Sequence, residues 1–238
     1  MTMRRLAILV FGVLLAAVAG ATAEAASITV DATVLSAPFF VVDGSGAITN
    51  GSPTVLDLTV GPHTFDPGPL GFAFDVTVLG TVDFDSSLDA YVSGRGTSTL
   101  TVTGFAIAVD ATAMTAPSFN IERGNVAPLT STATVATVHL LPGAYGEFNC
   151  GAGSESTSFP FTVTTAGLLD LNPSLDAYVS GRGTSTLTVT GFPITVDATA
   201  MTAPTFNINR GNASPLLPTA VVTTLHLLPG LYGEFNCG

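Results

Sequence analysis

The chain has 238 residues, 47% of them apolar and only 10% charged, with a formal net charge of −11 from 17 acidic and 6 basic residues. So low a charge content with so much apolar residue excludes a disordered chain, and the acidic balance opposes binding to nucleic acid or to an anionic membrane surface. There is no Lys and no Trp, while Thr, Val, Ala, Gly and Pro dominate, which is the vocabulary of short strands joined by turns.

Arg4 and Arg5 followed by the apolar run from Leu6 to Ala19, then the A-x-A sites Ala21-Thr22-Ala23 and Ala23-Glu24-Ala25, predict a cleaved secretory signal peptide over 1–26. No Cys stands beside the site, so a lipoprotein is not expected. Export to the periplasm, the cell surface or the medium follows, with no membrane insertion after cleavage. The cations then left are Arg95, Arg123, Arg182 and Arg210. The absence of Lys, with the preference for Arg, Ala and Gly, suggests a GC-rich bacterial source.

Strand signals then recur along the chain. Ile28-Thr29-Val30 alternates, and Asp43-Gly44 marks a turn. From Thr99 to Thr103 the apolar positions are Leu100 and Val102, whereas from Phe105 to Val109 they are Phe105, Ile107 and Val109. The parity flips at Gly104, and again at Gly191, which predicts a bulge or the end of one strand and the start of another. Phe119 to Ile121 runs into Arg123-Gly124-Asn125, and a Thr/Val strand leads to Leu140-Leu141-Pro142-Gly143, a turn, and Tyr145 to Phe148.

Self-similarity organises these strands. Ser87 to Gly151 matches Ser174 to Gly238 without a gap at an offset of 87, with about four-fifths of the positions identical. Upstream of each block, Gly71–Asp85 and Ser158–Asn172 are related but diverged, and Ile28–Phe40 repeats Ile194–Phe206. With the DATxxxxPxF…LPGxY piece called a, and the FxFTV…GRGTSTLTVTG piece called b, the mature chain reads a-b-a-b-a. The predicted organisation is therefore a signal peptide (1–26), modules at 27–106 and 107–193, and a half-module at 194–238. A piece of ~45 residues is near the size below which a single core rarely stands alone. It is expected to dock on its neighbour or to continue in further chain.

The fold class expected is all-β: tandem antiparallel β-sandwich modules of seven or eight strands, with a β-solenoid as the alternative. The Leu-Leu-Pro-Gly-x-Tyr runs at Leu140–Tyr145 and Leu227–Tyr232 resemble the turn-then-strand signature of bacterial Ig-like repeat modules. The resemblance implies an Ig-like architecture, with a Tyr at a sheet corner whose hydroxyl satisfies backbone groups while its ring is buried. In the first copy Pro62-His63-Thr64-Phe65 is aligned with Pro142-Gly143-Ala144-Tyr145, which puts Phe65 at the Tyr position, without a hydroxyl.

Chemistry-bearing residues are few. Asp83, Asp85 and Asp89, matched by Asp170, Asn172 and Asp176, offer oxygen ligands of the kind Ca²⁺ takes; the same residues are ordinary turn formers. Cys150 and Cys237 occupy matching positions, with Pro67 in the first copy. Export permits a disulfide between them, but only if the two turns pack side by side. Gly94-Arg95-Gly96 and Gly181-Arg182-Gly183 place a cation on a turn, suited to a carboxylate or sulfate or to a pair with Asp89 or Asp176. His63, His139 and His226 lack metal-type spacing and are expected on strands or turns. No nucleophile elbow, P-loop or dinucleotide motif is present.

The expected function is a non-enzymatic structural or interaction protein, a surface, matrix or adhesive spacer with surface proteins or glycans as partners. The alternatives are a Ca²⁺-dependent or carbohydrate-binding module and a hydrolase with an unrecognised site.

Overall fold

The computed structural model describes residues 24–67, 71–115, 119–123, 126–131, 134–150, 158–201, 206–210, 213–216, 222–230, 232 and 235–237. The expected signal peptide lies outside the described residues except for 24–26. Period-two alternation builds the strands. In β1 (Ala25–Asp31), Ile28 and Val30 are fully buried, while Ser27 and Thr29 face outward.

The first strand set continues with β2 (Phe39–Val42), β3 (Ile48–Thr49), β4 (Thr54–Thr59), β5 (Gly61–Asp66), β6 (Phe72–Val76), β7 (Val82–Asp83), β8 (Val92–Ser93) and β9 (Thr99–Val102). A turn of 3-10 helix, Ser86–Leu88, lies between β7 and β8. The strands form two sheets, ordered β4-β1-β9-β8 and β3-β2-β5-β6-β7. Pairing is antiparallel throughout except between β1 and β9, which run parallel.

The second set repeats this plan with β10 (Phe105–Asp110), β11 (Phe119–Arg123), β12 (Val126–Ser131), β13 (Val135–Leu140), β14 (Gly143–Asn149), β15 (Ser158–Val163), β16 (Leu169–Asp170), β17 (Val179–Ser180) and β18 (Thr186–Val189). Its sheets are β13-β10-β18-β17 and β12-β11-β14-β15-β16, the same order place for place, with β10 and β18 parallel. The third set holds β19 (Phe192–Asp197), β20 (Phe206–Arg210), β21 (Ala213–Leu216), β22 (Val222–Leu227) and β23 (Phe235–Cys237), as sheets β19-β22 and β21-β20-β23.

The described residues are thus all-β, in several largely antiparallel sheets with no closed barrel. The sheets are separate in each set, which is not the continuous parallel stack of a solenoid. Nine strands per complete set exceed the seven or eight expected. The excess lies in two-residue ladders such as β3, β7 and β8, too short to carry a periodic signal.

Stacked phenylalanines line the cores of the two complete sets. Phe40, Phe65 and Phe72 follow one another at 5.2 Å between ring centroids, and Phe119, Phe148 and Phe159 do so at 5.2 and 5.3 Å. Burying each such ring contributes roughly 1.5–3 kcal/mol. The repeated Asp-Ala-Thr explains itself locally. Asp31 Oδ1 accepts from the Thr33 amide at 3.1 Å and from its hydroxyl at 2.7 Å, and Asp110 with Thr112 and Asp197 with Thr199 do the same. The side chain thus ends the strand in a turn, and the intervening Ala32, Ala111 and Ala198 are buried.

The parity flips mark boundaries between sets. β9 ends at Val102, Gly104 turns the chain with φ +66°, and β10 begins at Phe105; Gly191 does the same with φ +63°. A Cβ at Gly104 would meet Leu35 Cδ1 at 2.9 Å and the Leu140 carbonyl oxygen at 3.0 Å. Gly104→Ala is therefore expected to lower stability by roughly 1–3 kcal/mol. In denaturant titrations of both variants, Gly46→Ala, where nothing lies within 4 Å of the added atom, should stay within about 0.5 kcal/mol of the parent.

Candidate functional site

The most developed non-core feature is a joint between strand sets that occurs twice. The loop after β1 leans on β13: the Ser36 amide donates to the His139 carbonyl at 3.0 Å, and the His139 amide donates to Ser36 Oγ at 2.9 Å. The loop after β10 meets β22 in the same way, through Thr115 N to His226 O at 3.1 Å and His226 N to Thr115 Oγ at 2.8 Å. Leu141, just past β13, is buried in the core of the first set, and Leu228, just past β22, is buried in that of the second. An aromatic pair flanks each joint, Tyr91 with Phe105 at 5.1 Å and Tyr178 with Phe192 at 5.0 Å. The available sequence signal was the recurrence of [Ser/Thr]-Ala-Pro at Ser36, Thr115 and Thr202 together with the His-Leu-Leu runs. Thr202 itself lies outside the described residues.

The corner residues serve this joint. Tyr145 Oη donates to the Leu141 carbonyl and Tyr232 Oη to the Leu228 carbonyl, both at 2.9 Å, so each hydroxyl holds the leucine inserted into the preceding core. In the first set this position belongs to His63 and not to Phe65. Gly61 and Gly143 are the same turn glycine, paired with Val76 and Val163, and His63 stands opposite Phe74 as Tyr145 stands opposite Phe161. The sequence match of Pro62 with Pro142 is therefore two residues out of the structural register, and a register shift between Tyr145 and Phe148 adds one further residue in β14, which brings Phe65 level with Phe148. His63 Nε2 lies 2.7 Å from the carbonyl of Thr59, again four residues back.

His63 is 5% exposed, and its Nδ1 lies 2.5 Å from Asp43 Oδ2. Asp43 also accepts from the Thr64 amide at 2.8 Å. It is the one non-glycine among the described residues with positive φ, +53°, a conformation Asp tolerates better than most. Both ring nitrogens of His63 face acceptors, so only the imidazolium can donate to both. Burial opposes the charge, but the Asp43 hydrogen bond, the Thr59 carbonyl and the charges of Asp43 and Asp75 outweigh it and raise the His63 pKa. Burial likewise works against the Asp43 carboxylate, and the contacts with His63 and Thr64 prevail and lower its pKa.

Most of the remaining sequence-marked residues have structural partners. Asp85 caps the 3-10 turn through the Ser87 amide at 2.8 Å, and Asn172 caps its counterpart (Pro173–Leu175) through Ser174 at 2.9 Å. Arg95 binds Asp89 and lies 3.9 Å from Asp83, with its guanidinium 5.1 Å from the centroid of the Phe84 ring; Arg182 binds Asp176. The two Gly-Arg-Gly turns thus make intramolecular pairs. Asp170 is exposed at the end of β16, opposite Thr162. Among the described residues no three His, Cys, Asp or Glu side chains gather as a metal group would. His139 and His226 sit half-buried on β13 and β22, and His226 Nδ1 lies 3.1 Å from the Thr190 carbonyl. Cys150 is buried in the core of the second set. Cys237 pairs through its backbone with Phe206, and its side chain lies outside the described residues.

Comparison of the chain with protein-family models, with curated proteins and with solved structures found no match.

Two measurements test this account. The His63 contribution is complete below the ordinary His value of 6.5 and is lost as pH rises through the raised folded value. The Asp43 contribution is present above the ordinary 3.8 and is lost as pH falls through its lowered folded value. Melting temperature should therefore decline as pH rises above 6.5 in the parent, and His63→Tyr, which installs the residue of the other copies, should flatten that decline. Because Asp83, Asp89 and Asp176 lie against arginines and Asp85 and Asn172 cap turns, millimolar calcium is expected to leave the melting temperature unchanged. A calcium-dependent rise would show that the ion displaces those pairs.

Proposed function

We propose that this is an exported, non-enzymatic structural or interaction protein, a surface, matrix or adhesive spacer built of tandem Ig-like β-sandwich modules behind a cleaved signal peptide. The modules are those expected at 27–106 and 107–193, followed by the half-module 194–238. The observation that carries the reading is the joint made twice from equivalent atoms, Ser36 with His139 and Thr115 with His226.

A spacer must transmit orientation as well as length. Modules on a flexible tether reorient freely, whereas here only Thr103-Gly104 and Thr190-Gly191 separate one set from the next. Two hydrogen bonds, a buried leucine and an aromatic pair bridge each junction. Identical joints propagate one geometry along the chain, and repetition multiplies weak contacts with a partner without new chemistry. The engagement of Arg95 with Asp89 and of Arg182 with Asp176 supports a role without catalysis for the two Gly-Arg-Gly turns. The acidic charge supports solubility of an otherwise apolar, Thr-rich surface.

Leu141→Ala tests the joint. It should cost roughly 2–4 kcal/mol, and faster amide exchange should appear at Ile28, Val30, Leu100 and Val102, in the set preceding the mutated residue. Small-angle scattering of the parent should fit one rigid arrangement. Scattering that requires freely reorienting bodies, or steady turnover of a substrate, would overturn the spacer reading.

A further inference from the structure

One side chain fixes the loop that carries the first joint. Asn50, in the turn after β3, extends its amide into the loop after β1. There Nδ2 donates to the carbonyls of Ala32, Leu35 and Ala37 at 2.7, 3.1 and 3.0 Å, and the Asn50 backbone amide donates to the Pro38 carbonyl at 3.0 Å. Ala32, Leu35 and Ala37 are buried, and buried carbonyls need donors. Ser36, whose amide and hydroxyl grip His139, stands between two of the held carbonyls. The grip on β13 therefore depends on the two N–H groups of one amide. Asn50 Oδ1 is buried with no hydrogen-bond partner among the described residues, so only the donor end of the side chain is used.

Gly51 follows, and the fold gives no reason for a glycine. Its φ lies outside the left-handed region, and an added Cβ would meet nothing within 4 Å. What glycine supplies is an unshielded backbone nitrogen beside an asparagine amide. Asparagine is a thermolabile residue, and it is most labile where such a nitrogen can reach its side-chain carbonyl carbon. Asn50-Gly51 is the one Asn-Gly pair in the chain.

We infer that Asn50-Gly51 is a self-modification site: its reaction unlocks the first joint, and the closed joint protects it. The Gly51 nitrogen bonds to Asn50 Cγ, the Cγ–Nδ2 bond breaks, and the Gly51 proton leaves with Nδ2 as ammonia. Water then adds to either carbonyl of the cyclic imide and breaks one C–N bond. The product is a carboxylate, as aspartate or isoaspartate, and the proton released passes to the ammonia. A carboxylate has no donor to offer, so the three held carbonyls then face a charged acceptor, and the loop bearing Ser36 is pushed off β13. While the joint is closed, three bonds hold Nδ2 in place, and the cyclic geometry is reached only through local opening of the loop. Opening starts the reaction, and the reaction prevents reclosing.

The test keeps the full chain at mildly alkaline pH. Ammonia loss is followed as the mass change of the peptide containing Asn50, and amide exchange is read at Ser36, His139, Thr115 and His226. Ser36→Ala, which removes the acceptor of the His139 amide, should deamidate roughly two- to tenfold faster than the parent, the range that one lost hydrogen bond gives. Gly51→Ala should suppress the reaction and leave exchange in the fresh protein unchanged. As the parent ages, exchange at Ser36 and His139 should quicken in proportion to the modified fraction. Thr115 and His226, at the joint with no Asn-Gly beside it, should keep their rates. Asn50→Asp should show the quickened exchange from the start. Equal reaction rates in Ser36→Ala and the parent would overturn the inference, as would the absence of modification at Asn50. So would exchange at Ser36 and His139 that does not follow the modified fraction, or a general quickening that includes Thr115 and His226. If Asn50→Asp does not fold, the ageing parent decides, because it is folded before it is modified.

Discussion

The two complete strand sets depend on the parallel contact that ties β1 to β9 and, in the second set, β10 to β18. Local hairpins alone would give amphipathic ribbons, each with an apolar face exposed to water, and isolated two-stranded ribbons are marginal in water. The parallel pairing joins the beginning of a repeat to its end and so forces the intervening strands to close over a shared interior. Leu100 and Val102 then lie beside Ile28 and Val30, and all four are buried. The stacked phenylalanines of the facing sheet complete that interior.

A second constraint acts between repeats. The strand carrying His139 belongs to one sheet of the second set, yet its far end contributes to the first set, through the Ser36 clamp and through Leu141. The corner tyrosines hold the turn that makes this possible by binding a carbonyl four residues back, and His63 makes the same reach to Thr59 within the first set. The same backbone need is thus met by a phenol in the second and third sets and by the His63 ring in the first. Only the second solution brings in a carboxylate, Asp43, and with it a sensitivity to pH.

Much of the architecture was legible in the residues. Alternation marked the all-β strands, and the parity flips at Gly104 and Gly191 marked the places where one strand ends and the next begins. Three things were not legible, each for a physical reason. The two-residue ladders are too short for any periodicity. The equivalence of His63 with Tyr145 is hidden because matching Pro62 to Pro142 sets the sequence alignment two residues out of the structural register. The joint consists mainly of backbone groups and one small hydroxyl, and neither Ser36 nor Thr115 looks exceptional in a chain so rich in Ser and Thr. The aspartates marked as oxygen ligands are a converse case. Composition shows that they are close in sequence, but only the geometry shows Asp85 turned to an amide and Asp89 turned to Arg95.

The placement of Leu141 has a consequence for the order in which the chain acquires structure. The interior of the first repeat lacks one of its side chains until residue 141 has been synthesised, well past the repeat's own final strand. As the polypeptide emerges from a ribosome or a pore, the leading repeat can collapse early but reaches its full stability only after the first four strands of its successor are available. Maturation therefore trails emergence by half a repeat at every boundary, and each new segment finishes the one before it while leaving its own interior open for the next.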